Sequence, residues 1–392
     1  MRKRVARRAF RVLLAAMDFV LQQIGDRVAR SYGTMRGPNL QISRRTLLRS
    51  GALVGVGAAL GACGLSSAPS GSASPTTASS TPTAAAKQYT FKMGGVFAPA
   101  SAQTRTMQKF ADLVAAKTNG QVTIQVFPSA QLGDETALLQ TLLTPDFEGL
   151  HTLSISLLST ADPAVSVTNI PFLFRDLSHV RAYAHGSAFA AHRDRLIKSK
   201  GLRMLGAWDY GFSMLVSKKP IPTLPDIKGL KVRVAPTPSQ VRMMQLLGAN
   251  PTPIAFSEVF TSLQTGVIDA FTSTYDVTLQ GKYYEVLKYN NLFRQLLGFT
   301  NPVIPEKFFQ SLSPNLQKAL VDAGSEGIDF NRQTIDQGES DAHTKLLAFG
   351  MIDVETQDRD KWVEGDFPMF QEYQQQNGPE GVALLKAVQD AK

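Results

Sequence analysis

A two-lobed α/β fold is predicted by two features of the 392-residue sequence. From Tyr89 onward, short apolar runs of period two alternate with apolar residues at helical spacing, which is how strands and helices interleave in an α/β domain. Residues 88 to 392 all follow that pattern, and a stretch of this length exceeds what one hydrophobic core usually organises, so two lobes are expected. The residues before it have a different composition and are read separately.

The first 62 residues carry targeting information rather than fold. Ser43-Arg44-Arg45-Thr46-Leu47-Leu48 precedes an uncharged run from Ser50 to Ala62, and Leu60-Gly61-Ala62-Cys63 closes it. A basic pair, a short apolar region and small residues before a cut make an export signal, and the twin arginine points to the Tat route. The apolar run is too short to span a bilayer, which takes ~20 residues. It resembles a lipoprotein signal peptide, which implies that Cys63 becomes the lipidated first residue of the mature chain on the outer face of the cytoplasmic membrane. Cys63 is the single cysteine, so it has no internal disulfide partner. Residues 1 to 34 are basic and amphipathic and precede a signal that would start well at Met35. They are either an overlong translated start or a basic helix lying on an anionic membrane before processing. Gly64 to Ala86 is almost wholly Ser, Thr, Ala, Pro and Gly; it buries too little apolar area to order and reads as a flexible tether.

The formal charge of +9 and the pI of about 9.5 belong to that leader. Residues 1 to 62 contain 12 of the 41 Lys and Arg but 2 of the 32 Asp and Glu, which leaves 29 basic against 30 acidic residues in the remainder. Bulk charge therefore gives no support to nucleic-acid binding.

Within the folded part, Phe91 to Phe97 reads as a strand, Ala102 to Lys117 as a helix with Met107, Phe110, Ala111 and Val114 on one face, and Val122-Ile124-Val126 as the next strand. Thr118-Asn119-Gly120 supplies the turn between the last two. Lys228 to Asp269 is the most informative stretch. The period of two in Lys231-Val232-Arg233-Val234 sends the valines to one face of a short strand and Arg233 to the other. Thr237 then reads as an N-cap, Pro238 as the first helical position, Val241, Met244 and Leu247 as the apolar face, and Gly248 as the stop. A guanidinium placed where a strand meets a helix start faces the mouth of an α/β sheet, where ligands usually sit. Further on, Ser313-Pro314 opens helices that extend to Phe349.

The wording of Lys228 to Asp269 is similar to the substrate-binding subunits of tripartite ATP-independent periplasmic (TRAP) transporters, the dicarboxylate-binding protein family. The family's order continues upstream in Lys117-Thr118-Asn119-Gly120, in Val126 to Glu135 (VFPSAQLGDE) and in Ile170-Pro171-Phe172-Leu173-Phe174, so the resemblance covers residues 88 to 392. It implies discontinuous lobes, the first from about 88–210 and 298–341 and the second from about 211–297 and 342–392, closing over a ligand. It also implies that Arg233, in the G-x-K-x-R-V strand, forks onto a ligand carboxylate, for which a planar and always charged pair of donors is suited. On spacing alone the same arginine reads as a solvated or surface-paired side chain. Phe256 matches a phenylalanine that walls the cleft, and it also reads as a hydrophobic staple before an N-cap at Ser257, packing toward Phe260 or Thr261.

Two positions depart from the family. Many members carry a second arginine where Gly211-Phe212-Ser213 supplies Ser213, and an asparagine where Ser273 stands. The cleft thereby loses charge and gains hydroxyls. Glu135 matches a pocket position in some members and equally reads as a first-turn acid that complements a helix dipole. Trp208 and Tyr210 either line the cleft or fill the core.

No metal or cofactor site is legible. Gly55-Val56-Gly57-Ala58-Ala59-Leu60-Gly61 superficially matches a dinucleotide fingerprint but lies inside the export signal with no strand before it. His151, His179, His185, His192 and His343 are never three or four residues apart, and there is neither a nucleophile elbow nor a P-loop. The expected function is an exported, lipid-anchored receptor that captures a small organic acid and hands it to the small and large membrane subunits of a TRAP permease, with no catalysis, no cofactor and no nucleic-acid partner. A secreted hydrolase and a structural surface lipoprotein are the alternatives.

Overall fold

The computed structural model of the protein describes residues 87–392; the leader, Cys63 and the tether lie outside the described residues. Strands β1 (Tyr89–Gly94) and β2 (Val122–Phe127) pair in parallel, joined by helix α1 (Ala102–Lys117). Ser101 caps α1 by accepting from the Thr104 N–H at 3.2 Å, and Met107, Phe110, Ala111 and Val114 are buried on its inner face. β1 stops at Gly94 rather than at Phe97. The glycines there let the backbone leave the sheet against α1, since a Cβ on Gly95 would lie 2.7 Å from the Met107 sulfur.

The first half continues through α2 (Glu135–Leu142), β3 (His151–Ser154), α3 (Ile155–Ala161), a 3₁₀ segment at Pro163–Asn169, α4 (Leu177–His185), α5 (Ser187–Lys200) and β4 (Leu202–Met204). Next come β5 (Trp208–Ser217), β6 (Lys231–Val234), α6 (Pro238–Leu246), β7 (Asn250–Pro253), α7 (Val259–Gln264), β8 (Ala270–Ser273) and α8 (Tyr275–Gln280). The chain returns through β9 (Tyr289–Pro305), α9 (Glu306–Ser311), α10 (Pro314–Ala348), β10 (Ile352–Val354), α11 (Arg359–Asp366) and α12 (Pro368–Gln389).

A curled sheet of order β10-β9-β5-β8-β6-β7, with β3 and β4 also paired to β9, runs through the molecule. Its long strands β5 and β9 pair antiparallel, with register shifts between Asp209 and Phe212 and between Ser213 and Leu215. Gly211, at φ +83°, takes the left-handed backbone that the first shift requires.

Two lobes surround this sheet, each with apolar cores of its own. The larger core gathers α1, β1 and β2 with Trp208, Leu297 and Phe299, while two smaller ones hold Val232, Val234 and Met244, and Val259, Phe271 and Tyr283. β5 passes from the large core at Trp208 to a smaller one at Leu215, and β9 does so between Leu297 and Leu296. α10, a single helix of 35 residues where the sequence reads as helices, contributes Ile328 to the large core and Leu346 to a small one.

Two local expectations differ. Residues 342–392 were expected wholly in the second lobe, yet Tyr373, Leu384, Leu385 and Val388 of α12 lie in the large core, and only Met369 of that helix joins a smaller one. The Tyr373 hydroxyl donates to the Ala164 carbonyl at 2.8 Å, which ties α12 to the first lobe. Ser257 is not an N-cap either, because Phe256–Glu258 form a 3₁₀ turn and α7 begins only at Val259.

Candidate ligand-binding site

The alternation of β6 places Val232 and Val234 in a small core and turns Arg233 into a cavity between that core and the large one. Arg233 is 9% exposed. Its Nε donates to the Ile254 carbonyl at 3.1 Å and its guanidinium carbon lies 5.6 Å from the centre of the Phe256 ring. Among the described residues no carboxylate forms an ion pair with it, and its terminal N–H groups have no protein acceptor. Burial pulls its pKa down to about 10 against the opposing attraction of Glu135, so it remains a cation at neutral pH.

Glu135 stands opposite on the first turn of α2, behind the N-cap Asp134, whose side chain accepts from the Ala137 N–H at 2.9 Å. Its carboxylate accepts from the Ser154 N–H at 2.6 Å and from the Ser154 hydroxyl at 2.9 Å. Burial raises its pKa above the usual carboxylate range, with the Ser154 bonds and the Arg233 charge pulling the other way. The cavity thus holds one cation and one acid that do not touch.

An aromatic arc closes one side. The Phe97 ring lies 5.4 Å from Tyr210 and 5.1 Å from Phe256, and Phe256 also meets Tyr283 at 6.4 Å. Tyr210 seats over Gly298, where a Cβ would come within 2.5 Å of the ring, and burial pushes its phenol well above the ordinary range. Hydroxyls line the rest: Ser213 and Ser273 face the cavity together with Ser154, Ser156, Thr272 and Thr274. The Ser273 hydroxyl donates to the Thr274 carbonyl at 3.2 Å and accepts from Thr278 at 2.9 Å.

Six of the seven residues picked from the sequence, Arg233, Phe256, Ser213, Ser273, Glu135 and Tyr210, therefore share one cavity of about 80 Å³. Trp208 does not join them. It is fully buried in the large core, 5.6 Å from the Phe110 ring, with its indole N–H directed to the Gly324 carbonyl at 3.4 Å. Sequence reasoning missed Phe97, Ser156 and Gln240. Gln240 lies on the first turn of the helix that follows Arg233, a signal of proximity, whereas nothing local marks Ser156.

A larger depression of about 640 Å³ lies between α3, α6 and α12. The arginine that lines it, Arg242, is half exposed and held by Glu372 at 2.6 Å, so no desolvated charge faces that space. Among the described residues no group of three or more His, Cys, Asp or Glu is placed to hold a metal, and no helix is long and apolar enough to cross a membrane.

Residues 93–377 match the model of the bacterial extracellular solute-binding protein family 7, DctP. The chain belongs to this family. It is 31% identical over 305 residues to a solute-binding protein of Sulfitobacter sp. strain NAS-14.1, covering 78% of this chain and 92% of that one. It is 29% identical over 288 residues to the 2,3-diketo-L-gulonate-binding periplasmic protein YiaO of Escherichia coli K12, covering 73% and 87%. A TRAP periplasmic solute-binding protein of Xanthobacter autotrophicus Py2, solved with β-D-galacturonate bound, superposes at a TM-score of 0.73 and 27% identity, covering 77% of this chain and 100% of that one. The sugar acid binding protein DctPAm of Advenella mimigardefordensis, solved with galactonate, gives 0.73 and 25%, covering 78% and 99%. The TRAP-type family and the two-lobed fold anticipated from the sequence agree with these matches.

Proposed function

We propose that this DctP-family protein captures a hydroxylated monocarboxylic acid of the sugar-acid kind between its lobes. The observation that carries the reading is Arg233, a buried cation with its terminal N–H groups uncommitted, facing a cavity rimmed with hydroxyls. A carboxylate completes that fork with two charge-assisted bonds. Glu135 then accepts from a ligand hydroxyl, and Ser213 and Ser273 supply neutral partners. A second ligand carboxylate would meet Glu135 or neutral hydroxyls, since Arg233 is the only cation lining the cavity among the described residues. The acids bound in the solved relatives, galacturonate and galactonate, have the matching pattern of one carboxylate and several hydroxyls.

Binding and release, rather than turnover, is the activity proposed. The first lobe comprises the large core with α12, the second the two smaller cores, and they pivot on β5, β9 and α10. The mature protein begins at a lipidated Cys63 and delivers its acid to the small and large subunits of a TRAP permease, the tether of residues 64–86 giving it reach. Calorimetry with D-galacturonate, D-glucuronate, galactonate and C4 dicarboxylates tests the ligand class: a preference for dicarboxylates, or no binding to any of these acids, defeats it. Mass spectrometry of the mature N-terminus tests the anchor, and an unmodified Cys63 thiol rules it out.

A further inference from the structure

We infer that Gln240 is the latch that sets how long the closed cleft lasts, a positioning role that rests on the proposed acid binding at Arg233. Gln240 occupies the third position of α6, a helix whose Met243 and Met244 are buried in the second-lobe core. Its Oε1 accepts from the Ala235 N–H at 2.9 Å. A backbone N–H can only donate, so that bond fixes the amide orientation and leaves Nε2 pointing away from its own lobe. Nε2 donates across the cavity to the Ser156 hydroxyl at 2.9 Å. Ser156 sits on α3, between Ile155 and Leu157 of the large core, and passes the chain on by donating to Asn169 Oδ1 at 3.0 Å.

Three features make this bond a device and not one more lining contact. It joins the two lobes side chain to side chain at the cavity itself. It is anchored two residues beyond Arg233, on Ala235, so a shift of the ligand-bearing strand is transmitted to the amide through one hydrogen bond. Its far end is buried in the large-core side of the cavity, Ser156 and Asn169 being 6% and 2% exposed and joined to each other by a hydrogen bond. A bond present only when the lobes meet lengthens the closed state without altering the encounter with ligand.

The test is a double-mutant cycle on the mature protein, with Gln240→Ala, Ser156→Ala and the pair, read by stopped-flow binding of D-galacturonate, D-glucuronate and galactonate. Each single variant is expected to release bound acid about 3- to 10-fold faster with an unchanged association rate, the scale of one net hydrogen bond, and the double variant no faster than either single. Additive effects, or a loss confined to the association rate, overturn the latch and make the two side chains independent contacts. Arg233→Ala run alongside separates the two ideas. If the wild type binds and Arg233→Ala does not, additivity in the cycle defeats the latch alone; if the wild type binds none of the acids, the reading of the site falls and the latch with it.

Discussion

Two buried arginines in this molecule sit in opposite circumstances. Arg332 of α10 packs against β5, where its Nη1 meets Asp209 at 2.6 Å, its Nη2 meets Asp336 at 2.6 Å, and the neighbouring Asn331 donates to the Asp209 carbonyl at 2.9 Å. Arg233 is as deeply buried but has one backbone acceptor and no acid. A guanidinium desolvated beside its carboxylate is complete within the structure, and one desolvated without a carboxylate is the group that the proposed acid would complete. The difference separates a charge satisfied within the protein from one that is not, and it bears on the proposed site more than size does, since the larger depression between α3, α6 and α12 contains no such charge.

The comparison is broken most directly by removing the acid that pairs with Arg332. Asp209→Ala leaves Arg332 buried with no partner on that side, and breaking a buried pair in this way costs ~3–5 kcal/mol. Burial already raises the Asp209 pKa despite Arg332, so the carboxylate stays in place by virtue of that cation and the Gly211 N–H at 2.8 Å. Urea unfolding monitored by circular dichroism should show the loss; a change below about 1 kcal/mol, the level of an exposed pair, would make the Arg332 pair incidental.

Arg233→Ala should do the reverse. Removing a buried cation that has no acid relieves desolvation, so the urea midpoint stays level or rises. Ligand affinity falls by ~2–5 kcal/mol, roughly 30-fold to several-thousand-fold in dissociation constant. Arg233→Lys restores part of it, since an ammonium keeps the charge and loses the fork. Calorimetry decides: binding within about threefold of wild type would class Arg233 with ordinary surface arginines.

A smaller effect follows from titrating the same group. The free guanidinium has its pKa lowered to about 10, and a bound carboxylate holds the proton to higher pH. Binding therefore takes up a proton above that pH, so the contribution of this pairing is complete below about 10 and falls as pH rises past it, by up to tenfold per unit. A flat profile to pH 11 in a protein that stays folded would mean that the ligand does not pair with Arg233.

Much of this contrast was legible in the sequence on one side only. Period two in Lys231-Val232-Arg233-Val234 assigned the arginine its face, and the Thr118-Asn119-Gly120 turn signal closed α1, because both are set by neighbours within a few residues. Asp209 and Arg332 are 123 residues apart and meet where α10 packs against β5, and no local period encodes that encounter. Trp208 shows the same limit: the sequence placed it near Tyr210, but only the approach of Gly324 and Gly327 of α10 reveals that its ring fills the core. The C-terminal helix packs mainly into the large core, a choice between cores that no local pattern encodes. Phe256 lines the cavity, but it does not precede an N-cap as the sequence suggested, since a 3₁₀ turn and a helical turn share their first spacing.

The smallest prediction concerns the acid opposite Arg233. Glu135 accepts twice from Ser154, which leaves lone pairs on both oxygens for a ligand hydroxyl. Burial has raised its pKa, so in the free cavity part of the population is neutral at pH values where an ordinary glutamate is ionised. A hydroxyl that donates to the carboxylate favours the ionised form and lowers that pKa, so binding releases a proton and affinity for a sugar acid rises with pH through the raised value. A dicarboxylate placed against Glu135 behaves oppositely, because its second charge is repelled by the ionised form and its affinity falls over the same range. Glu135→Gln keeps the shape and an acceptor while removing the charge. It should weaken a sugar acid by about fivefold, on the order of 1 kcal/mol, tighten a dicarboxylate, and flatten both pH profiles. Calorimetry at three pH values with D-galacturonate and a C4 dicarboxylate reads all of these at once. If the sugar acid's slope survives in Glu135→Gln, the proton belongs to another group and Glu135 is only the first-turn partner of Ser154.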